Sequence, residues 1–217
     1  MHAISNSFNA ILLVITGMAT DGKSGIPAEQ AMQKLVEGNA RFVSNQVTHP
    51  NQAAERRAEV DSGQHPFAII VGCSDSRVPP EVLFDQGIGD LFVVRTAGQV
   101  MDDVTIGSIE YAVEHLNVPL IVVLGHDACG AVKATIEGGT APGHLGSLVE
   151  FIKPAVDEAK TSANESQLLN SSIDINVRNI VNELSATKPI LSSKIKEGKL
   201  KIAGARYLLN GGAVKFY

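Results

Sequence analysis

The sequence predicts an α/β domain: a mainly parallel central sheet flanked by helices, with a C-terminal β-hairpin. Three observations carry this. Short continuous apolar runs at 67–71 (FAIIV), 91–94 (LFVV) and 120–124 (LIVVL) have the length and composition of strands buried on both faces. Stretches with apolar residues at helical spacing separate them, the alternation of a parallel sheet. The tail carries two β-like runs, 200–208 and 213–217, around Asn210-Gly211-Gly212, a hairpin turn signal. The length of 217 residues, with 44% hydrophobic and 19% charged, suits one domain with a real core.

The elements follow in order. Residues 1–22 read as an N-terminal extension or a signal segment, and 23–217 as the single domain. The run NAILLVITGMA at 9–19 is shorter than the roughly 20 apolar residues of a membrane span. It resembles a signal-peptide core, with Gly17 and Ala19 near a cleavage point, but residues 1–8 hold no Lys or Arg. Met18 is an alternative start. The missing positive region tilts the expectation to a cytoplasmic protein, and export stays open. Residues 27–45 predict a helix, with Pro27 at a first position and Met32, Leu35, Val36, Phe42 and Val43 at helical spacing. A second, polar helix is expected over 51–62, stopped by Gly63. Ile106, Ile109, Val113 and Leu116 mark a helix over 104–116. Further helices are expected over 129–136, 145–160 and 173–187, with a last short one opened by Pro189.

Lys+Arg is 18 and Asp+Glu 23, a net charge of −5, which argues against a nucleic-acid face. The two cysteines, Cys73 and Cys129, are too few for a disulfide framework or an all-cysteine zinc site. One bridge, one redox pair, or two ligands of a mixed metal site remain.

In a parallel sheet, ligands bind beyond the carboxyl ends of the strands. Two polar clusters fall there: Cys73-Ser74-Asp75-Ser76-Arg77 after FAIIVG, and His126-Asp127-Ala128-Cys129 after LIVVLG. Gly72 and Gly125 are expected to let the backbone turn closely at both points. If the two strands are neighbours, Cys73, His126 and Cys129 converge. Two cysteines and a histidine form a recognised zinc set with a fourth position left for water or substrate. The third ligand stands about fifty residues away from the His-x-x-Cys pair, which favours a catalytic over a stapling site. Taken singly, each residue is as readily a buried thiol or a packed His; a redox disulfide is the rival for the set. Asp75 and Arg77, two apart, can point the same way; Asp75 is either the fourth ligand or paired with Arg77, leaving that position to water, and the ordinary reading is a loop salt bridge.

These motifs, Cys-x-Asp-x-Arg and His-x-x-Cys, resemble those of the β-class carbonic anhydrases. The likeness extends to EGNARF (37–42), VPPEVLFDQGIGDLFVVRTAG (78–98) and IEYAVEHL (109–116), and covers all but the first twenty-odd residues. It implies one Zn2+ per subunit on Cys73, His126 and Cys129, and Asp75 with Arg77 as a catalytic dyad. Asp75 would be the alternative fourth ligand in a closed state. It implies a lyase, carbonate dehydratase, that hydrates carbon dioxide reversibly to bicarbonate by zinc-bound hydroxide. It also implies a homodimer or higher homo-oligomer with active sites near the subunit interface. Gln64, Phe92, Tyr111 and Gly130 match substrate-pocket positions of the plant-like subtype, and His115 matches a histidine proposed there as a proton shuttle. The subtype with a regulatory bicarbonate pocket carries a tryptophan where this chain has Ile70. Ala97 replaces a bulkier valine of plant members. Against these stand ordinary readings: Gln64 in a surface turn, Phe92 and Tyr111 in a core, His115 facing solvent. Two rivals to the hydratase remain: a same-scaffold hydrolase of another small linear substrate such as carbon disulfide, and a non-catalytic zinc scaffold.

Overall fold

The computed structural model describes residues 25–217. The apolar run at 9–19, and whether 1–22 is an extension or a signal segment, lie outside the described residues. Strands β1 (Ala68–Cys73), β2 (Leu91–Thr96), β3 (Leu120–His126), β4 (Lys201–Tyr207) and β5 (Val214–Phe216) form one sheet in the order β2-β1-β3-β4-β5. The first four are mutually parallel; β5 returns antiparallel to β4 as the expected hairpin.

Both faces of β1 and β3 are covered, which is why their sequences are unbroken apolar runs rather than alternating ones. On one face Ile69, Val71, Ile121 and Val123 pack against Ile109 and Val113 of α4 (Asp103–His115) and Val177, Ile180 and Leu184 of α7 (Leu168–Ala186). On the other, Ala68, Ile70, Leu120, Val122 and Leu124 meet Leu35 of α1 (Ala28–Val43) and Phe84, just past the single turn α3 (Pro80–Leu83). Each fully buried Leu or Ile contributes about 1.5–3 kcal/mol of transfer free energy. Asp102 caps α4, its Oδ1 accepting from the Thr105 amide at 2.7 Å and the Thr105 hydroxyl at 2.6 Å.

The remaining helices are α2 (Ala54–Glu59), α5 (Gly130–Glu137), α6 (Leu145–Ser162) and α8 (Ile190–Lys196). Helix α2 is shorter than the expected 51–62. Asn51 adopts a left-handed φ of 56°, its carbonyl accepts from the Ile88 amide, and its side chain donates to Asp90. Those tertiary bonds hold residue 51 out of a helix. Helix α7 begins at Leu168 rather than 173; the polar Asn170, Ser171 and Ser172 hide the helical period there. The turn α3 was not expected at all. Strand β2, read as buried, is half-buried at all six positions because it forms a sheet edge.

The glycines at the strand ends also differ from expectation. Neither turns the chain: the ladder runs through both, Gly72 opposite Arg95 and Gly125 opposite Arg206. A Cβ at Gly125 would lie 2.6 Å from Cγ2 of Val177, so its bareness lets α7 approach the sheet backbone. Among the described residues, no helix is long and apolar enough to cross a membrane.

Candidate metal centre

Because the ladder continues, Cys73 and His126 are the last residues of β1 and β3, and these strands are neighbours. Cys129 follows three residues later, at the N-cap of α5. The ligand atoms of Cys73, His126 and Cys129 all lie within 4.8 Å of one another, and all three residues are buried. The apolar residues Val132, Ile152, Val156 and Ile173 wall the thiols.

This donor set fits a zinc ion. His126 is fully buried; its Nδ1 lies 2.9 Å from the Asp127 carbonyl, while its Nε2 is buried with no hydrogen-bond partner. An orphaned ring nitrogen beside two buried sulfurs is costly unless a cation occupies the gap. The Cys73 thiol is drawn down to about 4, chiefly by its bond with Cys129, against burial and with help from His126 and the Gly98 and Asp75 amides. The same bond, with burial, pushes Cys129 up. A thiolate is therefore already favoured where a metal needs one.

The surrounding backbone is pinned. Gly98, with φ 70°, directs its N–H to Cys73 Sγ at 3.3 Å. Its own carbonyl accepts from the buried Asn176 amide at 3.0 Å. Arg95 donates to the carbonyls of Cys73 (2.8 Å) and Asp75 (2.6 Å). Gly98, Asn176 and Arg95 had no place in the sequence reading of the site; only Arg95 and Gly98 fell within a matched stretch.

Asp75 pairs with Arg77. Oδ1 accepts from the Arg77 amide and Nε, both at 2.9 Å, and Oδ2 accepts from a terminal guanidinium nitrogen at 2.7 Å. That guanidinium holds the Asp75 carboxyl well below the usual carboxylate range. Arg77 also reaches the Ala128 carbonyl, joining the two motifs. Arg77 thus engages both carboxylate oxygens of Asp75.

The other expected site residues are not all brought here. Gly130 opens α5 directly after Cys129, and a Cβ there would meet nothing within 4 Å. Gln64 is exposed and precedes β1, whereas Cys73 ends that strand. Phe92 stands opposite Ile69, near the amino end of β1. Tyr111 is 47% exposed on α4. His115, also exposed, lies against the Tyr111 ring with centroids 5.2 Å apart. Helix α4 leads into the start of β3, and His126 is at the other end of that strand from the point where the chain of His115 enters it. Ile70 is fully buried between the sheet and α1, a core residue rather than a pocket wall.

The carbonic anhydrase family model matches residues 68–214, from the strand that ends in Cys73 to the hairpin. The chain belongs to the β-class carbonic anhydrases. Among them, carbonic anhydrase 2 of Mycobacterium tuberculosis is 46% identical over 186 residues, covering 84% of this chain and 89% of that protein. The solved β-carbonic anhydrase CcaA superposes with a TM-score of 0.69 at 27% identity, over 86% of this chain and 94% of that one. One of two tetrameric β-carbonic anhydrases of Sordaria macrospora gives 0.69 at 25% identity, over 86% and 96%.

Proposed function

We infer that this carbonic anhydrase interconverts carbon dioxide and bicarbonate at a zinc ion held by Cys73, His126 and Cys129. The observation that carries the reading is the buried three-atom cluster with an orphaned His126 Nε2, set beside the Asp75–Arg77 pair. Bound there, zinc supplies the Lewis acidity that makes water a nucleophile near neutral pH.

The chain's own groups do the rest. Arg77 keeps Asp75 ionised and therefore acceptor-only. Oδ1 already accepts two hydrogen bonds and Oδ2 one, so Oδ2 has the free lone pair. It accepts a hydrogen bond from the attacking water and turns that oxygen's lone pair toward carbon dioxide. The product is bicarbonate, and one proton leaves to solvent. The apolar wall of Val132 and Ile152 suits a substrate without charge.

Gln64 and Phe92 lie toward the amino end of β1, away from their own chain's cluster at its carboxyl end, and Tyr111 is exposed on α4. In a homo-oligomer they are available to the site of a second copy. The half-buried β2 edge, with its unpaired backbone, gives that copy a place to dock. Metal analysis with stopped-flow carbon dioxide hydration tests the reading: one zinc per chain and fast hydration are expected. Zinc without hydration would leave a binding scaffold, or a hydrolase of carbon disulfide if that substrate turns over.

A further inference from the structure

The turn that presents His126 and Cys129 is strained. Ala128 has φ 51°, a left-handed conformation that costs a non-glycine residue about 1 kcal/mol or more. Such a turn persists only where its surroundings over-determine it. One contact does so from outside the motifs. Arg206, on β4 opposite Gly125, donates from Nε (2.8 Å) and a terminal nitrogen (2.6 Å) to Asp127 Oδ1. The same guanidinium reaches α7: both Asp174 carboxylate oxygens at 3.2 Å and the Asn170 side chain at 2.6 Å. Tyr217 in turn donates its hydroxyl to Asp174 at 2.5 Å. The Asp127 amide donates to the Tyr207 carbonyl, so residue 127 is held by both backbone and side chain. Its carbonyl is the group that faces His126 Nδ1.

We propose that Arg206 is a positioning residue for the metal centre: it grips Asp127 so that the Asp127 carbonyl fixes the proton on His126 Nδ1 and presents Nε2 to the metal. This rests on the zinc reading above. A carbonyl on the far ring nitrogen sets the tautomer and orientation of a ligating histidine. Arg206 supplies the rigidity, since a two-pronged charged grip anchored to both β4 and α7 leaves the 127 peptide one orientation. Lysine keeps the charge but not the fork.

The test uses the full chain with Arg206→Lys, Asp127→Asn and the double variant. Zinc affinity is read by competition with a chromophoric chelator. Each single is expected to weaken zinc by about 10-fold or more, the usual effect of losing a support behind a ligand, and the double no further than the worse single. Singles within twofold of the parent, or losses that multiply in the double, overturn the proposal. Asp174→Asn loosens the same guanidinium from its α7 side without touching the turn, and decides the matter should the others not fold. A threefold or greater loss supports the clamp; parental affinity overturns it. Arg178→Gln, which breaks an exposed α7 ion pair with Glu158 and a contact with the Asn179 side chain, serves as the control. Nitrogen-15 shifts of the His126 ring in metal-free protein give a second readout. The parent should hold its proton on Nδ1 and Arg206→Lys should mix tautomers; identical spectra overturn the proposal. A parent that binds no zinc at all defeats the zinc reading instead, and the tautomer measurement still judges the clamp.

Discussion

Asp85 ties α1, the loop after it and α3 together, and replacing it should cost stability in a pH-dependent way. Its side chain is 2% exposed. Oδ2 accepts from Arg41 Nε at 2.6 Å and from the Thr48 amide and hydroxyl at 3.0 Å, and Oδ1 from the His49 amide at 3.0 Å. Burial pushes its carboxyl up, but the Thr48 amide, Arg41, the His49 amide and the Thr48 hydroxyl outweigh burial and bring it from 3.8 to about 2. A folded value below the unfolded one means stability that is full above 3.8 and lost as pH falls through about 2. A difference of nearly two units corresponds to about 2 kcal/mol at neutral pH, of which about half is gone by pH 3. Asp85→Asn removes this charge and turns an amide NH2 toward donors, so it should cost about 2–4 kcal/mol at pH 7. Urea unfolding of parent and variant at one protein concentration, at pH 7 and pH 3, measures the gap. A gap that does not narrow on acidification, or one below about 0.5 kcal/mol at pH 7, would refute the reasoning.

Three further outcomes are expected. Gly125→Ala drives a Cβ to 2.6 Å from Val177 and should destabilise by about 1–3 kcal/mol in the same urea assay. Val177→Ala should recover part of that loss. Asp75→Ala keeps all three candidate ligands, so metal analysis should find zinc while stopped-flow hydration falls by about 100-fold or more; normal turnover would remove the dyad. Two thiolates and a neutral histidine cancel the zinc charge and so acidify water less than three neutral histidines do, for which the value is about 7. Hydration kcat/KM should therefore climb toward alkaline pH, and a flat profile counts against the ligand set.

Much of this protein was legible from local pattern. The FAIIV and LIVVL runs announced strands covered on both faces, and the Cys-x-Asp-x-Arg and His-x-x-Cys motifs held the three residues that cluster, Cys73, His126 and Cys129. Two departures from that pattern have a distant partner behind them. Asn51 continues no helix because Ile88 and Asp90 hold it. Gly125, taken for a turn, is a packing notch for Val177.

The sequence by itself determined the fold class, the ligand types and the Asp75–Arg77 pair, because side-chain period and short-range spacing are properties of the chain read in order. Only the tertiary structure decided that Phe92 stands near the amino end of β1, away from the cluster of Cys73, His126 and Cys129. It alone brought Asn176 to Gly98 and Arg206 to Asp127, seventy-eight and seventy-nine residues apart. Those contacts depend on the order β2-β1-β3-β4-β5 and on where α7 crosses it, and no local spacing encodes the meeting of groups so far apart along the chain.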